Sequence, residues 1–551
     1  MKAKINALLI KAIDLLYKDN DFSIEIVKTK SEMHGDWSSN IAMIVAKKKK
    51  ENPRELAQKI IKLIPSEDWL EKVEIAGPGF LNFFLTKQEN LNYLKNLLKD
   101  KKSYFPFEES NKKNILIEYV SSNPTGPLHI GHGRGAAFGS ALSNLLRKCG
   151  NKVTEEYYVN DQGLQTKILA ESVHKKYLEK FDLDTSEIDD TNFYKGEYID
   201  ELALKIKTQK KDLYLKIENE SNFINYIVEE MMKDIKATLE NFQVKFDSFY
   251  LESFLYDASK TKKTKVNEVL EDLKSEYSFN EAGALWFRST KFGDDKDRVL
   301  IRSDNQETYF LSDIAYHKDK FLRGYDELIN IWGSDHHGYL PRVKASLKAL
   351  KLSPESLKTI FIQFVSLIRK GKKTSMSTRS GEFITLNQLI NEVGVNAARF
   401  FYLAKKSDQA LEFDMDLAIS QDKNNPVYYI QYAYARICSL EKELKKREMT
   451  FDLDEGINNL EKLKNKSELE IISFLEAYKS IIEQCYKNYE VHPICFYLRD
   501  LASKFHSYYN SETIISDDQI SRNAKFALLI GIKRTIKSGM ELLDIETPEK
   551  M

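Results

Sequence analysis

Apolar positions along this chain change their spacing twice. Residues 1–20 (MKAKINALLIKAIDLLYKDN) repeat them every three to four positions, the spacing of one helix face, with charges scattered between. The first hundred residues mix such helix patterns with short strand-like runs. The apolar run Ile41–Ala46 is closed by the lysines Lys47–Lys50, and Gly77-Pro78-Gly79 marks a turn before the apolar run Phe80–Leu85. A polar stretch over 108–113 reads as a linker. At Ile115–Val120 the texture changes to a short β-branched run, as expected of a buried strand. A loop rich in Ser, Asn, Pro and Gly follows, then a helix pattern over about 136–148 that Cys149-Gly150 stops, then a second strand over 153–160. Strand, loop, helix and strand make a βαβ unit, which implies a parallel sheet and a right-handed crossover. From Gln162 to about Asn280 the chain is charged and mostly helical, an insertion into the sheet. Strand patterns return at 284–288, 299–302, 327–332 and 361–368. Beyond about Ala418 helix patterns rich in Tyr, Leu and Lys fill the rest.

At roughly 150 residues per domain, 551 residues make about three or four domains. Hydrophobic residues at 42% and charged ones at 30% exclude a wholly disordered chain. Acidic and basic residues balance at 83 each, so any nucleic acid must be met through local patches, shape and stacking rather than bulk charge. Cys149, Cys438, Cys485 and Cys495 form no C-x-x-C pair, which points away from a zinc ribbon or redox motif and suits a reducing compartment. The N-terminal helix pattern lacks a signal-peptide core, and the apolar run Phe526–Ile532 is far below the roughly 18 residues needed to span a bilayer. These features point to a cytoplasmic protein with no membrane partner.

Three segments carry candidate chemistry. The densest, NPTGPLHIGHGRG over 123–135, lies between strand and helix. Glycines at 131, 133 and 135 admit a ligand close to the backbone, and a helix N-terminus offers N–H groups and partial positive charge to phosphates. His129 and His132 are three apart, so they share a helix face and can donate to phosphates as charge shifts. The glycines alone would equally suit a tight turn. Zinc binding is disfavoured because no H-E-x-x-H pattern or cysteine partner accompanies the histidines. The second segment, GSDHHG over 333–338, follows an apolar strand, where ligands of parallel sheets bind and a carboxylate can hold a ribose hydroxyl. The third, KKTSMSTRSG over 372–381, is a basic loop whose cations could clamp phosphates; alone it reads equally as a solvated turn.

Together these residues resemble the class I aminoacyl-tRNA synthetases. The first segment is similar to their HIGH motif and the third to their KMSKS loop. The flanking segments narrow the likeness to the bacterial type of the arginyl-tRNA synthetases: EYVSSNPTGPLHIGHGRG over 118–135, YYVNDQG over 157–163, FGDDKDR over 292–298 and DIAYHKDK over 313–320. Outside the central region, GDWSSN over 35–40 and AGPGFLN over 76–82 resemble the family's N-terminal tRNA-binding module. NPVYYIQYAYARIC over 425–438 resembles the start of its anticodon-binding domain, and TPEKM over 547–551 resembles the ending of the bacterial form. The resemblance covers essentially the whole chain. It implies an α/β, Rossmann-like parallel-sheet catalytic domain over 106–415, with a helical insertion over about 163–280. An α+β domain over 1–105 precedes it and an all-α anticodon-binding domain over 416–551 follows.

The implied activity is the ATP-dependent ligation of L-arginine to tRNA(Arg) through arginyl-adenylate. Magnesium would accompany the ATP, no metal site of the protein's own is implied, and the chain would work as a monomer with no DNA partner. Carried over by resemblance, His129, His132, Lys373 and Arg379 would serve catalysis. Thr125, Gly131, Gly133, Gly333, Asp335, His336 and Ser377 would bind ATP. Glu118, Ser121, Asn123, Tyr309, Asp313 and His337 would bind arginine, with Asp313 on the guanidinium and Glu118 and Asn123 at the α-amino and carboxylate end. A guanidinium leaving water needs acceptors in a fork-shaped arrangement, since an isolated buried charge is too costly. Tyr432 and Arg436 are expected to meet tRNA, with Tyr428, Tyr429 and Tyr434 as further stacking candidates; helical spacing buries some of these, leaving one or two for RNA.

Two alternatives share the first motif. A tRNA-binding paralogue without catalysis would not need a complete substrate pocket, and a small-molecule nucleotidyltransferase would not need the terminal domains. One departure bears on the chemistry. Where the family's KMSKS loop often carries lysines, this chain has Ser375 and Thr378, and it has Gly126 where some members place a compensating lysine. Arg379, with Lys372 or Lys373, is left to supply the phosphate-stabilising charge. Replacing Arg379 by alanine is accordingly expected to raise the arginylation barrier by about 3 kcal/mol, read from single-turnover rates.

Overall fold

Five strands run parallel: β1 (Asn114–Glu118), β2 (Lys152–Val159), β3 (Ser248–Leu251), β4 (Glu327–Gly333) and β5 (Leu357–Ile362). Their spatial order is β5-β4-β1-β2-β3. Successive connections therefore build outward from β1 to one side and then reverse, which places the topological switch point between β1 and β4. This computed structural model describes residues 1–17, 22–29, 34–99, 105, 107–259, 262–274, 276–374 and 384–551. The chain divides into two compact units, residues 1–104 with 442–477 and 504–533, and residues 105–441 with 478–503 and 534–551.

The parallel sheet belongs to the second unit. Ile115, Leu116 and Ile117 of β1 are buried, as expected of a strand covered on both faces. Helix α1 (Ile130–Lys148) crosses from β1 to β2 and packs so closely that a Cβ on Gly139 would stand 2.3 Å from the ring of buried Tyr119. Only glycine permits that approach. Two arginines then pin α1 from its buried side. Arg134 donates to the carbonyls of Gln363, Gln409 and Lys406, each at 2.8 Å. Arg399 donates to the carbonyls of Leu543 and Phe242, to Asp544, and to Ser140 of α1 at 3.0 Å.

Of the four α-helices described in the span read as a helical insertion, Leu164–Glu179, Glu197–Lys210 and Glu220–Asn241 close around Leu169, Tyr177, Leu202, Phe223 and Met231, and Lys265–Lys274 lies beyond them in the chain. The span also holds β3, an edge strand of the parallel sheet that pattern alone did not reveal. Its four residues, SFYL, are too few for a period to emerge. The run 361–368, read as one strand, is two. β5 ends at Ile362, and Val365–Arg369 pairs parallel with Leu411–Asp414 and antiparallel with Lys372–Thr374. Among the described residues no strand follows Asp414. Helices Pro426–Lys446, Lys466–Asn488, His492–Ser511 and Gln519–Leu542 fill the C-terminal quarter.

In the first unit an antiparallel sheet orders Ile26–Lys28, Trp37–Ser39, Phe80–Leu85 and Leu70–Ala76. Its apolar face packs on helices Lys2–Leu16, Ile41–Lys49 and Pro53–Leu63. The run Ile41–Ala46, met among strand-like segments, is thus helical. Lys47, Lys48 and Lys49 occupy its last turn, where the helix dipole favours cations.

Arg399 leaves the clearest mark on stability. Replacing it by alanine strands Asp544 and two buried carbonyls, and should lower unfolding free energy by about 3 kcal/mol, read as a fall in the urea midpoint.

Candidate active site

At the carboxyl ends of β1, β4 and β5 lies a cavity of about 800 Å³, which takes in the switch point. The chain turns sharply as it leaves β1: Val120 and Ser121 both have positive φ, 66° and 39°. That conformation is rare for a β-branched residue and stores strain where the cavity begins. Ser121 Oγ accepts the N–H of Tyr158, which holds the turn against β2.

His129 caps α1. Its Nδ1 accepts the N–H of Gly131 at 3.0 Å, and His132 Nδ1 accepts the N–H of His129 at 3.3 Å, so each ring caps the other's backbone. The two imidazoles stack, with centroids 3.7 Å apart and planes 13° from parallel. A Cβ on Gly131 would lie 2.9 Å from the His129 ring, which explains the glycine between them. Burial lowers the His129 pKa and pushes His132 down to about 3, the charge of His129 adding to the latter, so both rings are neutral near pH 7. With Nδ1 accepting, the single proton of each ring sits on Nε2.

This geometry corrects the expectation that free N–H groups of α1 receive phosphates. Ile130 N–H donates to the carbonyl of Ile384, Gly131 N–H to His129 Nδ1, and the N–H groups of His132 and Gly133 to the carbonyl of His129. The imidazole Nε2–H groups are further donors at this terminus. Gly133 is corrected as well: a Cβ there would meet Leu386 at 2.6 Å and Tyr402 at 2.9 Å, so this glycine serves close packing and faces away from the cavity. Gly135, two residues and about half a turn on, lines the cavity instead.

Of the remaining expected ATP residues, Thr125, Gly333, Asp335 and His336 line the cavity. So do Ser121 and Asn123 from the arginine set; Asn123 donates to Gln165 at 2.7 Å. Ser377 and Arg379 lie outside the described residues. Lys373 pairs with Glu412 at 2.7 Å on the exposed face of its hairpin and does not line the cavity. Beyond that loop the chain returns to the first motif. Leu386 N–H donates to the carbonyl of Leu128, and Thr385 bridges His129.

The other arginine candidates gather behind the cavity on α2 (Tyr309–Leu322) and its neighbours. Tyr309 is half exposed, its hydroxyl 3.5 Å from where a Cβ on Gly163 would stand. Asp313 accepts a hydrogen bond from Tyr339, and burial pushes its carboxyl up to about 6 against the help of that bond, with the Glu118 charge adding. Glu118 is buried and takes the ammonium of Lys320, which also donates to Asn330 at 2.9 Å. His337 is not brought to this group; its ring stacks on Phe361 at 3.6 Å.

Pattern reading missed several residues here. Glu252, at the end of β3, is buried, and burial pushes its carboxyl up to about 7, the charges of Asp313 and Asp161 adding. A carboxylate just past a buried strand would have drawn notice had Ser248–Leu251 been read as one. Tyr339 directly follows GSDHHG, so its place beside the motif was visible in the sequence. Tyr198, which donates to the carbonyl of Thr125 at 3.0 Å and walls the cavity from the insertion, carried no signal. On the helix Pro426–Lys446, Tyr428 and Tyr432 stack with centroids 6.3 Å apart, and the Arg436 guanidinium lies 4.7 Å over the Tyr432 ring. Tyr434 is buried, as helical spacing requires.

A reversed parallel sheet, an imidazole-capped helix at its switch point and a strand-end Asp335 are features of the class I tRNA synthetases. The model of that class's arginine-type catalytic domain matches residues 93–424. The arginyl-tRNA synthetase N-terminal domain model matches residues 1–85, and the DALR anticodon-binding domain model matches 430–551. The chain belongs to the arginyl-tRNA synthetase family. It is 39% identical to the arginine–tRNA ligase of Hydrogenovibrio crunogenus and 41% identical to that of Vesicomyosocius okutanii, with the whole of each chain covered in both cases. The Thermus thermophilus arginyl-tRNA synthetase structure superposes over the whole of both chains with a TM-score of 0.77 at 19% identity, a likeness of fold.

Because His132 is neutral down to a pKa of about 3, its loss should scale the rate without moving the pH profile. His132→Ala should slow adenylate formation roughly 10²–10³-fold at every pH between about 6 and 9, measured by pyrophosphate exchange.

Proposed function

We propose that this chain ligates L-arginine to tRNA(Arg), with Asp313 and Glu252 as the carboxylates that select the guanidinium. The observation that carries the assignment is the grouping of two carboxyls, Asp313 on α2 and Glu252 after β3, near enough that the charge of Asp313 raises Glu252. Desolvation pushes these carboxyls up to about 6 and about 7, and a guanidinium brings them a cation with donors to match. Tyr309 flanks this group, and Glu118 and Asn123 take the amino-acid end. Ser121 closes the strained turn beside them, and His337 acts through Phe361 at the edge of the site.

In this reading a carboxylate oxygen of arginine attacks the α-phosphorus of ATP, and the bond to the leaving pyrophosphate breaks. The Nε2–H groups of His129 and His132 donate to phosphate oxygens as charge builds on them. Gly131 lets the nucleotide approach, Gly333 and Asp335 hold adenosine, and Thr125 and His336 complete that wall. A ribose hydroxyl of the tRNA terminus, the 2′ one in this class, then attacks the adenylate carbonyl and releases AMP. Asp335 is the one carboxylate among the cavity-lining residues described, so magnesium would travel with the phosphates rather than in a cage of protein ligands. Arg379, Ser377 and Lys373 supply the loop contacts to the phosphates. Lys373 can do so because its exposed pair with Glu412 is worth little. Tyr432 and Arg436 offer a stacked aromatic and cation to anticodon bases. The domain boundaries are 1–105, 106–415 and 416–551, and the enzyme acts as a cytoplasmic monomer. Among the described residues no helix is long and apolar enough to cross a membrane.

Pyrophosphate exchange with each amino acid, with and without tRNA, tests the reading. Exchange should require arginine and tRNA together; exchange with another amino acid would refute it. The acid side carries a further sign. Carboxyls with raised pKa values are protonated below about 6–7, so the KM for arginine should climb about tenfold per pH unit below that range. Glu252→Gln should raise it at neutral pH as well.

A further inference from the structure

The six-residue turn Ser334–Tyr339 faces two ways. Asp335 lines the cavity near its start, and at its end the hydroxyl of Tyr339 donates to Oδ2 of Asp313 on α2. His337, the residue of this turn expected at the amino acid, instead stacks on Phe361, so Tyr339 is the one whose side chain bonds to the selecting carboxylate. The Tyr339 ring has little freedom. Phe310 and Trp332 meet it edge-on, each with centroids 6.1 Å away, and the Arg342 guanidinium lies 4.8 Å over it. Burial and the charge of Asp313 hold the Tyr339 hydroxyl well above its usual pKa, so it stays a donor through the physiological range.

We propose that Tyr339 is the positioning residue for arginine selection: it fixes which oxygens of Asp313 remain for the guanidinium and holds that carboxylate as the anion. The inference rests on the assignment of Asp313 to the guanidinium. The hydroxyl takes one lone pair of Oδ2, which turns the carboxylate and leaves Oδ1 open for a donor of the substrate. It also opposes the surroundings. Glu118 on β1 raises the carboxyl of Asp313, Lys320 on α2 and Arg342 on the next helix lower it, and Tyr158 on β2 and Glu252 after β3 face the same group. Burial outweighs the favourable partners, of which the hydrogen bond from the fixed phenol is the largest, so its loss moves Asp313 toward the neutral acid.

The test is tRNA-dependent pyrophosphate exchange from about pH 5.5 to 9, with Tyr339→Phe and Asp313→Asn beside the unaltered enzyme. Phenylalanine keeps the ring between Phe310, Trp332 and Arg342 and removes only the donor. The expected result is a loss of about tenfold in kcat/KM for arginine near neutrality, shrinking toward alkaline pH, with the acid limb moved upward. The KM for ATP should not change. A Tyr339→Phe enzyme with an unmoved limb, or with a loss equal at every pH, overturns the proposal while leaving Asp313 in its role. An Asp313→Asn enzyme with the ordinary KM for arginine overturns the guanidinium assignment, and this proposal with it.

Discussion

Lys320 stands where the parallel sheet changes its direction of growth. Its ammonium bonds both to Glu118 of β1 and to Asn330 of β4, residues directly opposite each other in the sheet register. His317, one turn earlier on α2, reaches the same Asn330 at 2.9 Å and anchors its other nitrogen on the carbonyl of Asp313. Burial pushes His317 down to about 3, so the only cation in this chain of contacts is Lys320, and it answers the one anion, Glu118. A buried charge without a partner would be prohibitive; paired and hydrogen-bonded, it ties two strands and a helix into one geometry. The cavity, the helix that opens on it and the carboxyls of Asp313 and Glu252 are all placed relative to that joint.

From there two kinds of polar group serve two purposes. Fully matched ones, such as Arg134 with its three carbonyls or Arg399 with Asp544, Ser140 and two carbonyls, fix the walls. Incompletely matched ones, Asp313 and Glu252, keep raised pKa values and so remain available to a ligand. The histidines at the head of α1 are a third case. Their Nδ1 atoms accept backbone N–H groups, which places the proton of each neutral ring on Nε2. In the role proposed for them they would meet phosphate charge as neutral donors, which costs less desolvation than cations would in so buried a place.

How much of this was legible depended on how local each signal was. The βαβ unit, the strand before GSDHHG and the helical C-terminal segment follow from periodicity, and the structure has them. The function was legible because whole co-linear segments resembled one family. β3 was not legible: four residues show no period, and with it went Glu252, whose role depends on being at a strand end. Gly133 was misassigned because a sequence cannot tell a glycine that admits a ligand from one that admits Leu386 and Tyr402. The helix N-terminus misled in the same way, since the pairing of Ile130 with Ile384 joins residues far apart in the chain. Lys320 was visible only as part of a motif, with nothing to show that it faced Glu118 across 202 positions.

The pinning of α1 also bears on how this half of the chain is made. Ser140 on that helix bonds to Asp544, 404 positions later, and both bond to Arg399. Asn144 and the carbonyl of Leu542 add a contact of similar span. A nascent polypeptide emerging from the ribosome can form β1, α1 and β2 early, yet the groove beside α1 stays unfilled until the segment around residue 544 arrives. Folding around α1 is therefore tied to residues about four hundred positions further on by contacts of very high sequence separation, the kind that close slowly. Until then the guanidinium of Arg399 lacks both Asp544 and the carbonyl of Leu543, and the side of α1 that it later pins stays open to solvent and to misassembly.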